Sequence, residues 1–492
     1  MRRICTAALL GAALLALPAT ASATACNAPA SPAGEWPTYG ADLSNTRHQS
    51  DEHVIGTSNA GSIAPAWIYP TPGLINATPI VDGGCVFIAS NGVGAQDAQI
   101  AAVDADSGHE VWAYQMTIGT PSFGGPAVST PALWGNLVIT PINKKAGPFL
   151  VANDRSTGVE MWRTTLDTQK DSGVNGSAVV YDGMVLIGFF GNADASSHEH
   201  GGFLILDAAT GQVLKKTYTI PEADFEQGYD GAGIWSTPAV DTSTGFAYAG
   251  TSNPHSPHHE HARSDALVKI DLNRDSTNFG EIVASYKGVS DTVVPDASHQ
   301  PACDTKDDIY YSYSFSTTCL AVDLDFGASP NLFTDANGHK RIGDLQKAGI
   351  YHIVDAGDMS GVSRTPVGPA CFACDAASPA FDGGHAFVAG GPPGQLFSID
   401  GSNGVPAWAA PIGSGFTYNP VSVANGVVWT LDSPGYLDGY DEQTGVLLVK
   451  HKLQDDTGAN MVQTTTSGGV AIAHNTLYTA AASYLIAYRP TS

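Results

Sequence analysis

Short apolar runs recur along this chain, and each is cut by a glycine turn. One phrase repeats: a β-rich run ends in Asp, a Thr/Ser-Gly turn follows, then a strand led by Trp or an aliphatic residue. It appears as IAAVDADSGHEVW (100–112), LVANDRSTGVEMW (150–162), FLILDAATGQVL (203–214), LFSIDGSNGVPAW (396–408) and LDGYDEQTGVLLV (437–449). Looser copies are ALVKIDLNRDS (266–276) and IYHIVDAGDMSG (350–361), and YLIAYRP (484–490) is a truncated last one. Upstream of each copy stands a Thr/Ser-Pro or similar small-residue step, then strand, glycine turn and strand, as in NATPIVDGGCVFIA (76–89) and WSTPAVDTSTGFAYAG (235–250). Alternation at period two bounded by Gly turns predicts about four strands per unit.

The anchors Asp104, Asp154, Asp207, Asp271, Asp355, Asp400, Asp441 and the Tyr488 position are spaced by 50, 53, 64, 84, 45, 41 and 47 residues. Eight such units predict an all-β chain folded as an eight-bladed β-propeller, one large ring rather than several domains. In the Asp-x-x-Thr-Gly turn, Asp accepts backbone N–H groups and Gly takes positive φ. The two longest spacings mark insertions, and loops at one end of a repeat array are where function is built.

Composition sharpens this picture. The chain has 492 residues, 55 Gly, 30 Pro and 43% apolar residues, enough for a sizeable core and unlike a disordered chain. With 22 basic against 47 acidic residues the net charge is −25, which excludes a nucleic-acid partner. Residues 1–23 read as a secretory signal: Arg2 and Arg3 precede an apolar Leu9–Leu17 core and an Ala21-Ser22-Ala23 cleavage site. That core is too short to span a bilayer and no later stretch is apolar enough, so we expect no transmembrane anchor and a periplasmic or extracellular location. The expected organisation is a signal peptide (1–23), an N-terminal segment (24–64) and the propeller (65–492).

Cleavage would leave Cys26, Cys85, Cys303, Cys319, Cys371 and Cys374. An even count in an exported chain suggests three disulfides. Proximity favours Cys303–Cys319 and Cys371–Cys374, leaving Cys26–Cys85. The Cys371-Phe-Ala-Cys374 pair lacks the His of a haem attachment site, since Asp375 follows. It reads as a structural loop, with a redox pair as the alternative.

These phrases together resemble the pyrroloquinoline quinone (PQQ) alcohol dehydrogenase propellers over about residues 35–490. EWPTYGADLSNTR (35–47) looks like the family's opening motif, and GIWSTPAVDTSTGFAYAGTSNP (233–254), DLDFGASPNLF (323–333) and LQKAGIYHIVD (345–355) match cofactor-site segments in order. The DLDFGASP stretch preceded by two cysteines is most similar to the polyvinyl-alcohol dehydrogenase type without a haem domain. The resemblance implies PQQ on the axis with Ca²⁺ beside it. Trp235 would lie flat on the ring, Asn253 would ligate the metal, and Asp325 would serve as general base and metal neighbour, with Asp323 competing for that role. Lys347 would contact the quinone oxygens. An alcohol or polyol would be oxidised, with electrons leaving to an external acceptor such as a cytochrome c.

Three departures stand out. Asn192 and Ala193 follow IGFFG (187–191) where the family has a metal-binding Glu, with Asp194 and Glu199 only nearby. The family's adjacent Cys-Cys pair is missing, and no arginine matches the one that contacts the cofactor carboxylates. A second site is suggested by two histidine-dense loops holding His198, His200, His255, His258, His259 and His261. Imidazoles beside carboxylates suit Zn or Cu rather than Ca²⁺, and the alternative is a pair of solvated polar loops. A non-catalytic propeller binding protein or carbohydrate is the competing function.

Overall fold

The computed structural model describes residues 26–121, 125–191, 198–255, 260–290, 324–369, 376–391, 393–413, 418–432, 434–458 and 468–491. The proposed signal peptide, Asp194, His258, His259, Asp323, Cys303, Cys319, Cys371 and Cys374 lie outside the described residues. Eight four-stranded antiparallel sheets form the eight expected blades. Blade 1 runs Ile80–Asp82, Cys85–Asn91, Asp97–Asp104 and Glu110–Thr117, and blades 2 to 7 repeat this meander. Blade 8 differs: Ala471–Ala473, Thr476–Ala481 and Tyr484–Pro490 are completed by Ile63–Pro70, whose Ile63 pairs Pro490 and Pro70 pairs Tyr484. The first strand of the domain thus closes the ring on the last.

The burial pattern explains the sequence pattern. Second strands such as Leu137–Ile142 and Met184–Phe189 are buried throughout, because both faces pack on neighbouring blades. Outer strands such as Glu160–Thr165 alternate half-buried and exposed. The core is therefore a series of inter-blade clusters; one combines Ile80, Phe87 and Ile100 of blade 1 with Val138, Phe149 and Val151 of blade 2.

Each repeat phrase has a definite task. In the Asp154 turn, Oδ1 accepts Ser156 N–H (3.0 Å), Thr157 N–H (2.9 Å) and the Thr157 hydroxyl (2.8 Å). Gly158 closes that turn at φ +72°, and a Cβ there would stand 2.6 Å from the Trp112 ring of blade 1. Trp112 lies under this glycine and donates Nε1–H to Arg155 O at 2.8 Å. Trp67, Trp162 and Trp408 pack in the same way under Gly108, Gly211 and Gly445.

The Thr/Ser-Pro steps form a belt at the start of the first strands. Thr130 N–H donates to Ser177 Oγ (2.9 Å), Ser177 N–H to Thr237 Oγ1 (3.0 Å), Thr237 N–H to Ser329 Oγ (2.9 Å) and Ser329 N–H to Ser378 Oγ (2.8 Å). Gly469 N–H of blade 8 donates to Thr78 Oγ1 of blade 1 (3.0 Å). Below the belt, the N-terminal segment crosses the axis. The carbonyls of Leu43, Ser44, Thr46 and Arg47 accept N–H groups from Val240, Leu332, Phe381 and Val423, on blades 4, 5, 6 and 7 in turn. Five residues cannot reach four successive blades unless they lie at the centre of the ring. The expected Cys26–Cys85 disulfide is present and ties this segment to blade 1 across a sequence separation of 59 residues. Closing a loop of that length stabilises by about 4 kcal/mol in the chain-entropy view.

Candidate active site

In such a meander, the loop between second and third strands and the connection to the next blade share one face. Trp235 lies in the connection from blade 3 to blade 4, and Asp325 in that from blade 4 to blade 5. Asn253 follows the second strand of blade 4 (Phe246–Gly250), and Lys347 follows that of blade 5 (Lys340–Gln346). All four therefore belong to the face opposite the N-terminal segment.

Three of them meet. Trp235 donates Nε1–H to Asp325 Oδ2 at 2.7 Å, and Lys347 Nζ stands 2.7 Å from Asp325 Oδ1. Lys347 Nζ also lies 4.9 Å from the centre of the Trp235 ring. The lysine and aspartate are buried while the indole is half-buried. The backbone locks this arrangement: Lys347 N–H donates to Asp325 O (3.1 Å) and Phe326 N–H to Thr251 O (3.2 Å). Glycine is required in DFGASP, because a Cβ on Gly327 would come within 2.4 Å of the Trp235 ring. A charge-assisted hydrogen bond at Oδ2, an ion pair at Oδ1 and a cation over an aromatic face make this a stiff, preorganised group. Asn253 is buried on the adjoining loop, and its backbone carbonyl accepts Ala232 N–H at 3.1 Å, in the segment leading to Trp235.

Two further residues enter this face that sequence reading left unassigned. Glu199 turns inward and is buried, with Oε1 accepting Asp171 N–H at 2.7 Å. A Cβ on Gly191, the last residue of IGFFG, would stand 2.7 Å from Glu199 Oε2 and 3.0 Å from the His255 ring. The carboxylate that the motif lacks at its expected position thus arrives from later in the same loop. Lys145 of blade 2 reaches Asp171 Oδ1 at 2.5 Å, a base on this face where no arginine matched. The glycine at 191, which leaves room for an incoming side chain, was the available signal for Glu199.

The described histidines of the two dense loops, His198, His200, His255 and His261, gather around the connection containing the helix Glu222–Phe225. His198 Nδ1 lies 2.8 Å from Asp230 Oδ2 and its ring stacks on Phe225 at 4.1 Å. His255 N–H donates to Asp230 Oδ1 (3.1 Å), and His261 Nε2 lies 3.2 Å from Asp224 Oδ2. His200 is buried against Phe225 and Tyr218, and burial, reinforced by His198, lowers its pKa to about 4. Burial likewise lowers that of His261. Among the described residues no three His, Cys, Asp or Glu side chains converge as a metal site. The oxygen donors Asp325, Asn253 and Glu199 suit a hard cation, while the imidazoles are taken up with carboxylates and rings.

The fold and this face define a quinoprotein-like propeller. The chain belongs to the PQQ_2 propeller family, described as outer membrane protein assembly factor BamB, whose model matches residues 49–256 and 352–492. A polyvinylalcohol dehydrogenase of Pseudomonas sp is 25% identical over 343 residues, 65% of this chain and 49% of that protein. A second, from Sphingopyxis sp. (strain 113P3), is 24% identical over 484 residues, 89% of this chain and 69% of that protein. The chain spans about half the length of the Pseudomonas relative. Among solved structures, the quinohemoprotein alcohol dehydrogenase from Comamonas testosteroni superposes with a TM-score of 0.70 at 17% identity, covering 96% of this chain and 85% of that one. No helix among the described residues is long and apolar enough to cross a membrane.

Proposed function

We propose that this chain is an exported quinoprotein dehydrogenase that oxidises an alcohol or polyol and passes the electrons to an external acceptor such as a cytochrome c. The observation that carries the reading is the Trp235–Asp325–Lys347 group on the loop face. PQQ, when bound, supplies the two-electron acceptor for the hydrogen on the alcohol carbon. Trp235 offers a flat face for a conjugated ring, and its N–H fixes the orientation of Asp325. Asp325 is the base that takes the hydroxyl proton, a role that needs a carboxylate held within hydrogen-bond reach of substrate. Lys347 balances the buried carboxylate and presents a donor toward the ring. Asn253, Asp325 and Glu199 would hold Ca²⁺ through oxygen, the donor type that cation prefers. Residues 1–23 support the export reading through their charged, apolar and small-residue regions.

The test is reconstitution. Purified protein mixed with PQQ and Ca²⁺ should reduce an artificial dye with primary, secondary or polymeric alcohols as electron donors, and omission of either PQQ or the alcohol should abolish the signal. A protein that binds no PQQ at micromolar concentration would instead be a non-catalytic propeller.

A further inference from the structure

Arg47 is fully buried, with 0% of its surface exposed, and it lies near the ring axis. Its neighbour two residues back, Asn45, donates Nδ2–H to Thr237 O and Pro330 O of blades 4 and 5. Arg47 itself donates Nε–H to Val421 O (2.6 Å) and Nη2–H to Ser422 Oγ (3.1 Å) and Val470 O (3.5 Å), on blades 7 and 8. Its Nη1–H donates to Tyr39 O (2.5 Å), and Trp36 and Tyr39 rings stand 5.5 and 4.9 Å from Cζ. Each of these partners is uncharged. A buried cation normally has an anion beside it, because leaving water is otherwise costly. Burial lowers the Arg47 pKa only to about 10, so the charge persists at neutral pH.

We propose that Arg47 is the counter-charge for an anionic ligand held on the propeller axis, acting through the hydroxyl belt from the sealed end rather than by contact. The guanidinium touches the belt: a Cβ on Gly469 would lie 2.4 Å from Nη2, and Gly469 N–H donates to Thr78 Oγ1. Trp235 precedes the belt residue Thr237 by two positions, roughly 7 Å of extended chain. A ligand stacked on Trp235 would feel this charge across the belt, from Gly469 and Thr78 on blades 8 and 1 to Thr237 on blade 4, through protein rather than water. At an effective dielectric of about 20, a unit charge about 10 Å away changes affinity on the order of ten-fold for each ligand charge. The ligand class is a polycarboxylate. The inference rests on the dehydrogenase reading, and it answers the shortage of bases in a chain with 22 basic and 47 acidic residues.

The experiment compares PQQ, a tricarboxylate, with its uncharged trimethyl ester, following quenching of tryptophan fluorescence. Three proteins are titrated: wild type, Arg47→Gln, and Ser422→Asp. The last places a carboxylate beside the guanidinium and neutralises it without removing it, so it decides the matter if Arg47→Gln fails to fold. Both variants should bind PQQ at least ten-fold more weakly than wild type, with ester affinity changed less than two-fold. Unchanged PQQ binding in the folded variants would overturn the proposal, as would an equal loss for acid and ester. Failure of the wild type to bind either compound would remove the dehydrogenase reading as well, a result distinct from the other two.

Discussion

At the joint between blades 1 and 2, an indole lies under a glycine turn and its N–H meets a backbone carbonyl, Trp112 with Arg155 O. At the joint between blades 4 and 5, Tyr286 takes the corresponding place beside Gly361. Its hydroxyl lies 3.1 Å from His352 Nδ1, and His352 Nε2 lies 2.9 Å from Gln346 Oε1. At the first joint the indole packs among apolar side chains such as Phe87 and Val151, and the polar contacts, Arg155 with Asp82 and Tyr114 with Glu160, lie around that packing. The second is a buried polar network directly behind Asp325 and Lys347, with the Phe326 ring 5.1 Å from His352. Two tryptophans summarise the contrast. Trp112 is buried and spends its N–H on the scaffold, while Trp235 is half-buried and spends its N–H on a carboxylate. The scaffold indole only holds two blades together, whereas the site indole is tied to the charged pair where chemistry is proposed.

Breaking the scaffold joint should have the largest effect on stability. Trp112→Ala is expected to cost about 3–5 kcal/mol, read from denaturant unfolding, with turnover per folded molecule retained. Acid should then separate the joints. Burial lowers the His352 pKa to about 3, so the folded state binds fewer protons than the unfolded state between pH 6.5 and 3. Its contribution is complete above pH 6.5 and falls as pH drops, by about 3 kcal/mol at pH 4.5. Hydrogen exchange at pH 4.5 against pH 7 should show protection lost first in Ile350–Asp355, while Glu110–Thr117 keeps its protection. Equal loss in both strands would erase the contrast. The smallest effect is expected for Gly158→Ala: a residue at φ +72° costs about 1–2 kcal/mol, with further displacement of the Trp112 ring.

Much of the ring was legible because each blade repeats its own turn chemistry locally. The Asp-x-x-Thr-Gly phrase encodes a turn whose hydrogen bonds are all within five residues, and the Thr/Ser-Pro and similar steps supply the belt hydroxyls of blades 1 to 6. Closure of blade 8 by Ile63–Pro70 was not legible, since its partner strand lies more than 400 residues away. The contacts of the crossing segment were hidden for the same reason: Arg47 meets Val470 across 423 residues. At the site, Trp235, Asp325 and Lys347 were readable from their surrounding motifs. Glu199 was not, because a loop's path rather than its residue order decides which carboxylate turns inward. The histidine loops were readable as dense in ligand-type residues, but Phe225 between two of the rings sets their direction and local order does not reveal it.

The most direct test of the division between holding and chemistry is the double variant Asp325→Asn/Lys347→Met. Removing both charges of a buried pair avoids stranding either one, and such replacements are often neutral or stabilising by about 1–4 kcal/mol. Unfolding midpoint and dye-linked alcohol oxidation with PQQ and Ca²⁺ are measured on the same preparation. The expected result is a midpoint at or above that of the wild type with turnover reduced by about 10²-fold or more. Alcohol oxidation at the wild-type rate, or a collapse in stability like that of Trp112→Ala, would contradict it.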